Sequence, residues 1–256
     1  MKIKYCKPLI RLKMAINKNS TGYTITFSVV LVCICGALLA FLATQLKPSQ
    51  NANVANEKRQ FILSAAGFAS LDSLKKLEKS DIEKMFSESV TSNVYDFEGS
   101  PIPGENAFLI DIVKEFKATK NEPKVRRYPV FTCINKTDTS YVIPMAGNGL
   151  WGPVWGFAAL GSDQNTVTGI VFDHKSETPG LGAKITDQSF VDMFTSTTKT
   201  VMKGDKYMGL KVVKGGLKEP NHEVDAIAGA TITSNGVSAM LKSAFKPYMK
   251  AWEKIK

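Results

Sequence analysis

Asp225-Ala-Ile-Ala-Gly-Ala-Thr231-Ile-Thr-Ser-Asn-Gly-Val237 packs more unusual local chemistry together than any other stretch of this 256-residue chain. Val224 to Ile227 reads as the end of a short apolar strand. Gly229 and Ala230 leave a nearly bare backbone, and Thr231, Thr233 and Ser234 place hydroxyls where a helix begins. Small residues let a bulky group approach the main chain, and open amides at a helix start attract an anion, phosphate above all. An ordinary strand-to-helix connection with Thr233 or Ser234 as N-cap fits the same spacing, so the surroundings have to decide.

Downstream, Val237, Met240, Leu241, Ala244, Phe245, Tyr248, Met249 and Trp252 recur at helical spacing. They predict a strong amphipathic helix that Pro247 should kink or split. Upstream, residues 130–134 and 141–145 are strand-like about a short polar turn, and residues 154–160 and 166–172 repeat the arrangement, which suggests hairpins. Residues 187–197 read as helical and 207–213 as a strand. Earlier still, residues 57–69 and 70–90 carry helical stripes such as Leu71, Leu74, Leu77, Ile82, Met85 and Phe86, which are core or docking faces. Between 95 and 127 the pattern weakens, and Pro101, Pro103 and Pro123 mark loops. These proportions predict an α+β fold.

Tyr23 to Leu46 contains no charged residue, and about twenty apolar residues suffice to cross a bilayer core of roughly 30 Å. A secretory signal would have a shorter apolar run and a small-residue cleavage site, so we read one uncleaved span over 23–46. Residues 1–22 form a basic tail, 47–56 a polar connector, and 57–256 a single mixed α/β ectodomain. The formal net charge of +10 is mostly a property of the tail. Six of the 33 basic residues and no acid lie in 1–22, leaving 27 against 23 beyond it. That balance of +4, with no basic face interleaved with aromatics, gives no support to a nucleic-acid partner. The positive tail orients the N-terminus towards the cytoplasm and sends the main domain out of it. Only Cys133 of the four cysteines lies beyond the apolar run, so the ectodomain can close no internal disulfide. Cys33 and Cys35 lack metal-ligand spacing and read as small apolar side chains.

The Asp225 stretch resembles the flavinylation signature Asp-x-x-Ser/Thr-Gly-Ala-Thr, in which a flavin transferase joins FMN through its phosphate to the final threonine. Asp225, Gly229, Ala230 and Thr231 match it, and Ala228 stands where the signature usually has Ser or Thr. Two further segments, 148–160 with Gly149-Leu-Trp and Trp155-Gly-Phe-Ala-Ala-Leu, and 174–182 with Glu177-Thr-Pro-Gly-Leu-Gly, resemble the FMN-binding domain family found in the C subunit of the sodium-translocating NADH:quinone reductase. With the single span, the likeness covers essentially the whole chain.

The resemblance implies covalent FMN on Thr231, with Thr233 the next hydroxyl in line. It implies a place on the bacterial inner membrane, with the ectodomain outside the cytoplasm, within a complex of six subunits. There the chain would take electrons from an iron–sulfur centre and pass them to a flavin on the B subunit, without a complete activity of its own. A flat, partly apolar ring edged with polar atoms wants side chains such as Leu150 and Trp151 on its face and amides at its edge. Thr178, Gly180, Leu181 and Gly182 offer such contacts, and Glu177 and Lys184 are candidates to touch or orient the ring. The G subunit of the Rnf ferredoxin:NAD oxidoreductase shares several of these features, and a flavin-free anchored assembly protein is the remaining alternative. Other chemistries lack support: two histidines are too few for a histidine-rich metal site, and no dinucleotide, Walker or nucleophile-elbow motif is present.

Overall fold

The computed structural model describes residues 20–136 and 138–255. Most of the basic tail therefore lies outside the described residues. Helix α1 runs from Thr21 to Ala65. Its large apolar side chains from Ile25 to Leu46 stand exposed, and it is long and apolar enough to cross a membrane. The polar run 47–56, expected as a connector, is helical throughout and includes Pro48. Proline removes one helical hydrogen bond there, and the polar and alanine residues that follow tolerate helix once it has been nucleated.

Residues 55–256 form one compact unit. Within it follow α2 (Leu71–Leu74) and α3 (Lys79–Ser89), then β1 (Val90–Tyr95), α4 (Ile112–Ala118), β2 (Tyr128–Asn135), β3 (Asp138–Asn148), β4 (Pro153–Leu160) and β5 (Val167–His174). The five strands make one antiparallel sheet in sequence order. Successive side chains of a strand point to opposite faces, and here both faces are covered. Val130, Ile143, Ala158, Ile170 and Phe172 enter one core with the C-terminal helix. Phe131, Val142, Phe157, Ala159 and Val171 enter a second with Phe61, Ile62 and Ala65 of α1. Double burial explains why these strands read as apolar runs rather than as strict alternation. Cys133 is buried in the second core, and that burial pushes its thiol up to about 12.

Beyond the sheet lie α5 (Gln188–Val191), the small hairpin β6 (Met202–Lys203) with β7 (Lys206–Tyr207), and the parallel pair β8 (Lys211–Val213) with β9 (Glu223–Asp225). The single strand expected over 207–213 is thus two, separated at Gly209, whose φ of +65° extended backbone cannot adopt. Helix α6 (Thr231–Ile255) is continuous through Pro247. The Ser243 carbonyl loses its helical donor there, but tertiary contacts outweigh that loss. Tyr248 donates its hydroxyl hydrogen to the Pro129 carbonyl at 3.1 Å and packs edge-on against Tyr128, while Trp252 packs on Tyr141.

One ion pair ties the loop before β2. Glu115 accepts from the Arg127 amide, from its Nε and, at 2.7 Å, from its Nη2. The guanidinium holds the Glu115 carboxyl below its usual range. A depressed carboxylate contributes stability that is complete above the unfolded-state value and is lost as the pH falls through the folded one. Glu115→Gln is therefore expected to cost about 1–2 kcal/mol at pH 7, and the difference from the parent should begin to shrink as the pH falls below the usual carboxylate pKa of about 4.3 and vanish once it passes below the lowered folded-state value. Urea unfolding of the full chain in detergent, at several pH values, measures this.

Candidate functional site

Three segments meet at the N-terminal end of α6. The first is the turn between β3 and β4, closed by Gly149 N–H donating to the Gly152 carbonyl at 2.7 Å. The second is the loop 175–182 after β5. The third is the helix start itself, which lies so close to β3 that a β-carbon on Gly236 would collide with the Asn148 carbonyl. Glu177 joins all three. It is only 4% exposed; its Oε1 accepts the Trp151 amide at 2.8 Å and its Oε2 accepts the Thr233 hydroxyl at 2.6 Å. Gly182 faces the same carboxylate, and any side chain there would strike Glu177 and the Thr233 hydroxyl. The Glu177 amide donates to His174 Nδ1 at 3.2 Å, a bond that places the imidazole proton on Nε2. Ser176 Oγ donates to the Trp151 carbonyl.

The stretch 225–231 is shaped by its own backbone. β9 ends at Asp225, Gly229 adopts φ +77°, and the helix begins at Thr231, two residues before Thr233 and three before Ser234. Thr233 and Ser234 are not N-caps. Thr233 is buried and bonded to Glu177, and Ser234 Oγ accepts the Ile227 amide at 3.2 Å, stapling the turn to the first helical turn. The amides of Thr231, Ile232 and Thr233 precede the first intrahelical bond, in which the Ser234 amide donates to the Ala230 carbonyl. They make no hydrogen bond to any described residue. The Thr231 side chain is exposed beside them.

Around this corner stand apolar side chains that folding leaves uncovered: Leu150 (47% exposed), Trp151 (66%), Leu181 (43%) and Ile232 (58%). Leu181 also reaches over Gly229, within 2.9 Å of where a β-carbon would lie. Gly229→Ala is expected to cost about 1–2 kcal/mol for the left-handed backbone alone, read by urea unfolding, and to tilt the turn before Thr231 away from Leu181. Thr178 and Gly180 lie on the loop 175–182, Gly180 on its exposed surface, and Ala230 is buried behind the turn. Asp225 and Lys184 are both exposed, and neither side chain hydrogen-bonds another described residue; the Asp225 charge bears on buried Lys199, opposing the fall in its pKa that desolvation causes.

The parts played by His174, Ser234 and Ile232 are not visible in the motifs. An isoleucine among hydroxyls, shortly after Gly229-Ala230, is the one sign in the sequence that the helix start presents an apolar face. The bonds of His174 and Ser234 depend on loop geometry that spacing does not reveal.

Residues 149–246, which contain all three segments, match the family model of the FMN-binding domain. The chain is 31% identical over 242 residues to the C subunit of the Na(+)-translocating NADH-quinone reductase of Pasteurella multocida (strain Pm70), covering 88% of this chain and 90% of that one. It is 29% identical over 245 residues to the protein of the same name from Haemophilus ducreyi, covering 91% and 95%. Among solved structures it is similar to the corresponding C subunit from Parabacteroides distasonis ATCC 8503, with a TM-score of 0.69 and 34% identity over 80% of this chain and 96% of that chain. It is likewise similar to NqrC of Shewanella oneidensis, with a TM-score of 0.65 and 25% identity over 78% and 97%.

Proposed function

Because this chain belongs to the family of C subunits of the Na(+)-translocating NADH-quinone reductase, we propose that it is a membrane-anchored electron carrier of that oxidoreductase complex, holding FMN as a phosphodiester on Thr231 Oγ1. The observation that carries this reading is the corner where an exposed hydroxyl adjoins three unbonded helix amides. A phosphodiester carries one negative charge, and the positive end of α6 with its N–H groups offsets it. The acceptor is Thr231 rather than Thr233, because the Thr233 hydroxyl is buried and already donates to Glu177.

The residues present fit a flavin. Leu150, Trp151, Leu181 and Ile232 offer apolar contact area that the fold itself does not use, and Gly180 leaves backbone open at the edge. When bound, FMN supplies reversible acceptance and release of electrons. The protein's part is to orient and shield. Glu177, with both oxygens engaged by the chain, fixes the relative placement of the Trp151 turn and the helix start; it orients the site rather than bonding the ring. Asp225 fits recognition by a flavin transferase, since it lies exposed before the acceptor turn and its carboxylate makes no hydrogen bond to a described residue.

The anchor is α1, with its N-terminus in the cytoplasm and the ectodomain on the other side of the inner membrane. A covalent bond suits a cofactor that cannot readily be replaced there. Electrons arrive from an iron–sulfur centre of neighbouring subunits and leave to the flavin of the B subunit. The whole-length likeness to the reductase's C subunits supports this assignment over the G subunit of the Rnf complex. Protein purified from its native host should give a fluorescent band on a denaturing gel under ultraviolet light and an intact mass above that of the polypeptide. A dark band at the bare mass would overturn the covalent reading and favour a flavin-free assembly protein.

A further inference from the structure

The two edges of the five-stranded sheet are treated differently. Next to β1 the chain turns back on itself: the Ile102 amide donates to the Val94 carbonyl at 2.8 Å, and Tyr95 bridges to Pro101. At β5 nothing comparable happens. From Thr168 to Asp173 its backbone bonds to β4 and to no other described segment. In an antiparallel ladder alternate residues turn their N–H and C=O groups away from the partner strand, so half of this stretch offers unsatisfied groups outward. Exposed edges of this kind are templates for pairing with another chain.

The open edge forms the floor of a cleft of about 590 Å³. Ile170 and Phe172 lie on the floor, Phe61 and Leu71 on one wall and Val191 on the other. The charged groups along it are Glu57, Asp72 and Asp173 against Lys75 alone, with His174 at the far end. Glu57 and Asp173 are near enough to repel, and desolvation by the walls raises the Asp173 carboxyl above its usual range. The cleft therefore combines unused strand bonds, walls of mixed apolar and polar side chains, and an excess of negative charge with too little positive charge to balance it. Six residues of strand span roughly 20 Å, room for a short extended segment.

We propose that this cleft receives an extended, lysine- or arginine-bearing segment of a neighbouring subunit of the complex, which adds to β5 as a sixth strand and sets its basic side chain against Glu57 and Asp173. Main-chain bonds to the edge supply affinity, and the charge supplies selectivity. The proposal rests on the reading of the chain as a component of the reductase complex, and it is independent of the flavin.

Hydrogen exchange tests it directly. Amides alternating within 168–173 should exchange about tenfold more slowly in the assembled complex than in the full-length chain alone in detergent. The double variant Glu57→Gln, Asp173→Asn keeps the Asp173 oxygen that accepts the His174 amide. In moderate salt it should lower the amount of chain retained by another, affinity-tagged component of the complex about fivefold, with flavin fluorescence per chain unchanged. A photo-cross-linking residue in place of Gln188, on the rim, should capture a different component of the complex. Equal exchange in both states, retention indifferent to the two substitutions, or cross-links only to a second copy or to residues 1–19 of this chain would overturn the proposal. A dark band from the native protein would overturn the covalent-flavin reading instead and leave the exchange comparison intact.

Discussion

Thr231→Val is expected to abolish covalent flavin: the in-gel fluorescence of the parent falls to background and the intact mass to that of the polypeptide. Valine is close to threonine in shape, and position 231 is exposed at the first turn of α6, so the fold loses little. What disappears is the exposed hydroxyl that adjoins the open amides of the helix start. Thr233→Val is the informative control. It removes the donor to Glu177 and should lower stability, yet leave flavin on Thr231. Fluorescence that survives in T231V and vanishes in T233V would move the attachment site to Thr233. Quinone reduction by a complex assembled with T231V should drop to background, because electrons lose a carrier rather than a binding contact.

The second large effect is expected at Glu177. Truncation to alanine leaves the Trp151 amide and the Thr233 hydroxyl without their acceptor and opens a void between Gly149 and Gly182, both of which face the carboxylate. We expect a loss of about 2–4 kcal/mol, together with poor flavin attachment because the Trp151 turn is no longer registered on the helix start. Glu177→Gln should cost only about 1 kcal/mol: its carbonyl oxygen can still accept from Trp151, and the Thr233 hydroxyl can rotate to accept from the new amide. Urea unfolding of the full chain gives the stabilities, and band fluorescence per chain gives the attachment. Should Gln behave like Ala in both measurements, the carboxylate's charge rather than its geometry would be what matters.

Much of the architecture was legible because burial on both sheet faces wrote itself into residues 130–134, 141–145, 154–160 and 166–172 as strand-like runs, which fall on β2 to β5 with ends that differ by at most three residues. β1 was not legible. Val90-Thr-Ser-Asn-Val-Tyr is a mostly polar edge strand with only Val94 buried, and the helical stripe of α3 runs straight into it. The helical state of 47–56 was not legible because polar residues do not forbid a helix that is already formed, and Pro247 does not split α6 because Tyr248 and Trp252 make contacts that lie far away in sequence. At the candidate site, the types and order of Leu150, Trp151, Glu177 and the 178–182 loop were visible, but the partition of roles was not. That Glu177 spends both oxygens on the chain, and that Thr233 is sequestered while Thr231 is open, are facts of burial across a separation of 56 residues.

α6 follows every other described element in sequence, and its buried face of Val237, Met240, Leu241, Phe245, Tyr248 and Trp252 completes the larger core. On the ribosome, the meander of neighbouring strands can pair as it emerges, since its contacts are local, while that core waits for the helix. The hydroxyl that would carry the cofactor opens this late-arriving piece, so a chain still being made, or clipped short of Tyr248, presents no properly framed target. Maturation would thereby be restricted to molecules that have finished folding, with the order of translation acting as the inspector.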